Sequence, residues 1–244
     1  MNRRGVAILL VILLLGPQVA AAGETPERVI KRVGQAFAGF DDFWVWVTQR
    51  FRDEKGNEQQ YRGRVYFKRK RMFRLNFGTP PFLIHGTDGT DYWVYKAEQK
   101  TIEVTPLGKD APVHVLFQVF AAGDQMVRAF ERFCDVDVFE ETEYVDPKDG
   151  KKIPAYKLVV SIKPERLREL HEQAGEKLLD KDAKQQWTFW VDKKSSLPKM
   201  IQVDWENKHR YIFELGKFYP NRGLRAAQFR RPTPTGVKII EKGK

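Results

Sequence analysis

Tyr61-Arg-Gly-Arg-Val-Tyr-Phe-Lys-Arg-Lys-Arg-Met-Phe-Arg-Leu-Asn-Phe77, then Thr79-Pro-Pro-Phe-Leu-Ile84 and Thr87-Asp-Gly-Thr-Asp-Tyr-Trp-Val-Tyr95, decides the fold class. Side chains alternate along a strand, so Tyr61, Gly63, Val65, Phe67 and Arg69 share one face and Arg62, Arg64, Tyr66 and Lys68 the other. The apolar face thus ends in a guanidinium. An unpaired buried charge is costly, so Arg69 needs a partner or a route to water. A second strand follows through the basic corner, then an apolar third strand, and Asp88-Gly89 turns into an aromatic fourth.

Outward from this hairpin series the pattern is mostly β. Thr25-Pro26-Glu27 opens a helix, with threonine as cap, proline in the first turn and glutamate at the positive end. Its apolar stripe is Val29, Val33, Ala36, Phe37 and Phe40. Phe43–Phe51 reads as a strand with aromatic residues on both faces, and Lys55-Gly56-Asn57 as a turn. Lys100–Thr105 is a short strand stopped by Pro106. Val113, Leu116, Phe117 and Phe120, then Met126, Phe130 and Phe133, fall at helical spacing. Val115 and Val119 make the other side apolar too, so these two short helices must be covered on more than one side. They read equally well as core filling or as a lid. Strands resume at Val136–Tyr144, Tyr156–Ile162, Gln186–Asp192, Lys199–Trp205, Arg210–Phe218 and Val237–Ile240. Pro164–Leu179 reads as a charged helix with a solvated face.

Nearly all connections are short hairpins, which favours one curved sheet over a Greek-key sandwich. The expected architecture is mainly β with helices (α+β): an open, strongly curved antiparallel half-barrel of about 10–11 strands. Helices would form a lid over an apolar cavity on its concave face. The expected division is a signal peptide at 1–22 and one domain at 23–244, with 164–179 a helical insertion.

Composition narrows the function classes. The 42% hydrophobic and 13% aromatic content excludes a disordered chain. A basic start at Met1–Arg4, the apolar run Val6–Leu15 and Ala20-Ala21-Ala22 before Gly23 form a secretory signal pattern, too short for a comfortable membrane span. A soluble, exported protein is expected. The net charge of +11 then serves solubility, or docking to acidic partner faces or anionic headgroups, rather than nucleic acid. Cys134 is the only cysteine, which leaves no internal disulfide and reads as a small buried hydrophobe.

No catalytic constellation emerges. His85, His114, His171 and His209 sit in four unrelated settings, and no zinc, nucleophile-elbow or phosphate-loop motif is present. Asp41, Asp42, Asp88 and Asp91 could in principle pair as acid and base, but Asp88-Gly89 and Asp91 read as turn residues. The expectation is therefore no enzyme, no cofactor and no metal.

Several stretches occur in an order that resembles LolA, the periplasmic outer-membrane lipoprotein carrier family. They are Thr48-Gln49, the Lys68-Arg69 pair with Phe73, Pro80-Pro81 before Phe82-Leu83-Ile84, and Asp88-Gly89 with Tyr92-Trp93 and Tyr95. Later come Val191-Asp192, Lys199–Val203, Tyr211-Ile212-Phe213, Asn221, and Ala227 to Pro232 into Gly236-Val237. The resemblance implies a periplasmic, monomeric carrier that takes acylated lipoproteins or lipid from an inner-membrane ABC-type release complex to an outer-membrane acceptor. It implies Arg69 as a lid latch hydrogen-bonded to lid backbone, and Phe73 on the cavity wall. The implied lipid-binding set is Val45, Val47, Val65, Phe67, Phe73 and Leu75 on the wall, with Leu116, Phe117, Phe120, Met126 and Phe130 on the lid. The chain departs from the family at Lys70, where proline is usual, and at 164–179. A lipid- or lipoprotein-sensing regulator on the same fold, or a carrier of another lipid, remain alternatives.

Overall fold

The computed structural model describes residues 23–69, 71–107, 116, 120, 130, 134–163, 185–205 and 209–242. The signal peptide, the 164–179 helix, Phe117 and Met126 lie outside them.

Helix α1 (Pro26–Ala38) begins where the capping signals place it: the Thr25 side chain accepts from the Arg28 N–H, and Glu27 lies in the first turn. Its buried stripe is Val29, Ile30, Val33 and Phe37. Twelve strands follow in one sheet, not ten or eleven. They are β1 (Asp42–Arg52), β2 (Glu58–Lys68), β3 (Met72–Gly78), β4 (Pro81–Thr87), β5 (Asp91–Lys96) and β6 (Thr101–Pro106). Then come β7 (Cys134–Val145), β8 (Lys152–Ile162), β9 (Gln185–Asp192), β10 (Pro198–Trp205), β11 (Arg210–Pro220) and β12 (Lys238–Glu241). Ala226–Phe229 is a short 3-10 turn.

The sheet order is β12-β6-β5-β4-β3-β2-β1-β11-β10-β9-β8-β7. Two antiparallel meanders meet where β1 pairs with β11, and β12 adds in parallel to β6. The sheet is open, with β12 and β7 as its edges. Because β6 lies beside one edge and β7 forms the other, residues 107–133 must link opposite sides of the sheet.

Period-two alternation decides the two faces. Phe43, Val45, Val47, Val65, Phe67, Phe73, Leu75 and Phe77 point to the concave side and join α1 in one buried cluster. Gly63 is required in that row: a Cβ there would lie 2.4 Å from the Asn76 carbonyl oxygen, so only glycine lets β3 approach so closely.

The convex side carries a second cluster of Ile84, Trp93, Ile102 and Val104, packed by Tyr95 and Val237. The C-terminal segment straps this half: Phe229 is fully buried, and Arg74 Nη1 donates to the Gln228 carbonyl at 3.0 Å. Elsewhere this face is basic and aromatic, with the Arg64 guanidinium carbon 4.0 Å from the Trp46 ring centroid and Trp44 stacked on Tyr219.

Asp42 fixes where the strap begins. It is 2% exposed, and its carboxylate accepts from the backbone N–H of Arg222 at 2.7 Å and of Leu224 at 2.8 Å. Lys68 Nζ lies 3.7 Å away. Asn221 takes the left-handed conformation (φ 52°) that asparagine tolerates, and its side chain accepts from the Asp41 N–H. So Asp42 is a structural clasp. Asp88 is the turn residue expected of it, accepting from the N–H groups of Thr90 and Asp91.

Candidate functional site: the covered concave face

The wall residues read from sequence converge. Val45, Val47, Val65, Phe67, Phe73 and Leu75 are buried in one cluster, together with Leu116 and Phe120. Leu116, Phe120 and Phe130 are each helical. The Phe120 ring lies 5.5 Å from Phe37, 5.1 Å from Phe43, 6.4 Å from Phe67 and 6.3 Å from Phe218. Phe130 packs on Phe189. The described residues Leu116, Phe120 and Phe130, between β6 and β7, therefore pack onto the concave face.

Phe37 and Phe218 stand at the centre of this cluster and were not among the sequence candidates. Phe37 was on the helix stripe already, and only the tertiary pairing of β1 with β11 puts Phe218 beside it.

This arrangement fills the middle of the concave face with rings. A cavity of about 400 Å³ lies toward the N-terminal end of α1, lined by Ile30, Phe130, Cys134, Val136 and Phe139 with Pro26, Glu27 and Asp135. It is at the small end of ligand pockets, which run roughly 300–1,000 Å³. Burial pushes the Cys134 thiol up to about 11, so at neutral pH it is protonated and lines the cavity as an apolar group.

Arg69 resolves the conflict noted at the end of β2. Its Nε donates to the Phe40 carbonyl at 2.9 Å and its Nη2 to the Ala38 carbonyl, while the side chain is 55% exposed and Asp41 Oδ1 lies 3.5 Å away. The last carbonyls of a helix have no intrahelical partner, and a cation there also meets the negative end of the helix dipole. The carbonyls reached among the described residues belong to α1 and the loop after it, so what Arg69 ties down is α1.

His85 pairs with Leu75 and so lies on the same face of the sheet. Its Nδ1 lies 2.8 Å from the Tyr92 hydroxyl. Burial, with Lys96 adding a smaller repulsion, lowers its pKa from 6.5 to about 4. The folded state thus holds His85 neutral where the unfolded chain takes up a proton, so its contribution is complete above pH 6.5 and is lost as pH falls toward 4. The loss is about 3 kcal/mol in all. Urea melts between about pH 7 and 4 should show this decline, and His85→Gln should flatten it; an unchanged slope in the variant would refute the assignment.

No family model and no curated protein matches the sequence. Solved structures do match in fold. An uncharacterized conserved protein from Thermus thermophilus is 13% identical, with 90% of this chain and 100% of that one covered at a TM-score of 0.50. A LolA superfamily protein from Nitrosomonas europaea is 13% identical over 86% of this chain and 99% of its own, at 0.41. LprF from Mycobacterium bovis is 8% identical over 82% and 96%, at 0.43. No helix among the described residues is long and apolar enough to cross a membrane.

Proposed function

We propose that this protein is a periplasmic carrier that shelters the acyl chains of lipoproteins, or of another lipid, on its concave face and ferries them from the inner to the outer membrane. The observation that carries this reading is the nature of the cover. Among the described residues, the apolar wall is covered by α1 and by side chains of the β6–β7 link, not by a second sheet. A sheet-on-sheet core is locked by two hydrogen-bonded layers, whereas a helix and a link can lift while the twelve-stranded ladder stays intact. The ordered motifs shared with the lipoprotein-carrier family support the same reading.

The energetics fit a carrier. Each methylene withdrawn from water gains about 0.8 kcal/mol, so an uncovered acylated cargo could not cross an aqueous compartment. Binding that strong must also be reversible. A cover that is stable when empty lowers the apparent affinity by its own closing energy, because only the open fraction binds. Arg69 contributes to that closing energy; its two charged hydrogen bonds are worth about 1 kcal/mol after discounting for exposure. An inner-membrane ABC-type release complex and an outer-membrane acceptor are the partners this cycle requires.

Two measurements test it. Mass spectrometry of the protein purified from a periplasm should find acylated polypeptide or lipid bound; protein that carries nothing, and accepts no acylated cargo in vitro, would overturn the reading. Arg69→Leu should leave the circular dichroism spectrum unchanged, with a melting temperature within a few degrees of wild type, and should impair cargo turnover severalfold. Full transfer by that variant would remove Arg69 from the mechanism.

A further inference from the structure

We propose that Gln49, Trp187 and Trp205 form a polar seat on the concave face for the ester or amide linkage of an acylated ligand, which deepens the carrier reading and rests on it. Gln49 interrupts the apolar row Phe43, Val45, Val47, Phe51 of β1 and faces Phe213 of β11. Trp187 faces Val203, which in turn faces Tyr211. The Trp205 ring lies 5.0 Å from that of Tyr211, and Phe51 lies 4.7 Å from Tyr211 on the other side. The three polar side chains thus share one face near Tyr211: Trp205 against its ring, Gln49 on the adjacent strand opposite Phe213, and Trp187 two strands away beyond Val203. They spread over three strand spacings, about 14 Å at the backbone, and reach inward from a concave surface.

Gln49 Oε1, Trp187 Nε1 and Trp205 Nε1 are all buried, and none has a hydrogen-bond partner among the described residues. Buried polar atoms are nearly always paired, and each orphan is a cost the fold has to carry. Of the eight such atoms among the described residues, these three lie within four adjacent strands of the concave face, beside an aromatic wall, and that grouping marks a place where a partner arrives. Two N–H donors and one acceptor, set among rings, suit the junction of an acyl chain with its backbone. Carbonyl oxygens would accept from the two indoles, and an amide N–H or hydroxyl would donate to Gln49. The tails would then run along the apolar rows toward Val47 and Phe189.

The test uses the full chain and two pairs of probes. One is dipalmitoylglycerol against its dihexadecyl ether analogue. The other is a dipalmitoyl-glyceryl-cysteine peptide against its dialkyl ether form. Trp187→Phe and Trp205→Phe keep the ring and delete the N–H. Each should weaken binding of the ester forms about fivefold, the value of one neutral hydrogen bond, and leave the ether forms unchanged. The probe that shows this selectivity identifies a glycerolipid or a lipoprotein as the source. Gln49→Leu should raise the melting temperature, since it removes an orphan, and should weaken binding as well. Equal effects on ester and ether, no effect on either, or a Gln49→Leu protein that melts lower would overturn the seat while leaving the carrier reading intact. Wild-type protein that binds none of the four probes would overturn both.

Discussion

Asp42→Ala should lose about 3–5 kcal/mol of stability, as removal of one partner from a buried charged network does. Two backbone N–H groups, of Arg222 and Leu224, would be left without their acceptor, and Lys68 would lose its counterion. The effect should not stay local. The clasp determines where the C-terminal strap leaves β11, and the strap carries Phe229, Val237 and finally β12 onto the sheet. Chemical denaturation should therefore give a lower midpoint. Hydrogen exchange should show β5, β6 and β12 losing protection more than β8 and β9. Asp42→Asn keeps the shape and one acceptor oxygen, so it should show only part of the loss. A full-stability Asp42→Ala protein would show that the strap is held by its apolar contacts alone.

Phe120→Ala has a comparable expected cost, about 3–5 kcal/mol for a buried phenylalanine. Phe120 is 1% exposed, and its ring meets aromatic residues from α1, β1, β2 and β11. If the cover is separable from the sheet, the variant should also bind an apolar dye or acyl probe more tightly than wild type. Its closed state would be weaker, and the binding-competent fraction correspondingly larger. Loss of stability with unchanged affinity would mark Phe120 as ordinary core. Calorimetry and a dye titration on one preparation give both numbers.

Much of the fold was legible because local chemistry and tertiary packing agree along most of the chain. The cap at Thr25, the turn at Lys55-Gly56-Asn57 and the alternation through Val65, Phe67, Phe73 and Leu75 each specify one structure. Long-range pairing was not legible. Nothing near Phe43 says that β1 will pair with β11, since register across so large a separation depends on which faces finally need burying. The same holds for the parallel addition of β12, where Lys238–Glu241 is too short to announce a partner. Of the site, the apolar wall was readable from period two alone. The attachment of Arg69 to α1 was not, because two carbonyls at the end of a helix leave no trace in side-chain pattern. Gln49, Trp187 and Trp205 were visible as residues, but a missing hydrogen-bond partner is a property of coordinates only.

The seam between β1 and β11 has a consequence for how the molecule is made. Until residues 210–220 are available, the N-terminal meander presents β1 as a long unpaired border rich in valine and aromatic side chains, the kind of template on which a second chain can pair. Closing the seam requires ends far apart along the chain to meet, a slow step for a β-rich topology. Newly made protein should thus pass through an interval of aggregation risk that ends only when residues 210–220 arrive. A version permuted to bring β11 directly before β1 should shorten that interval.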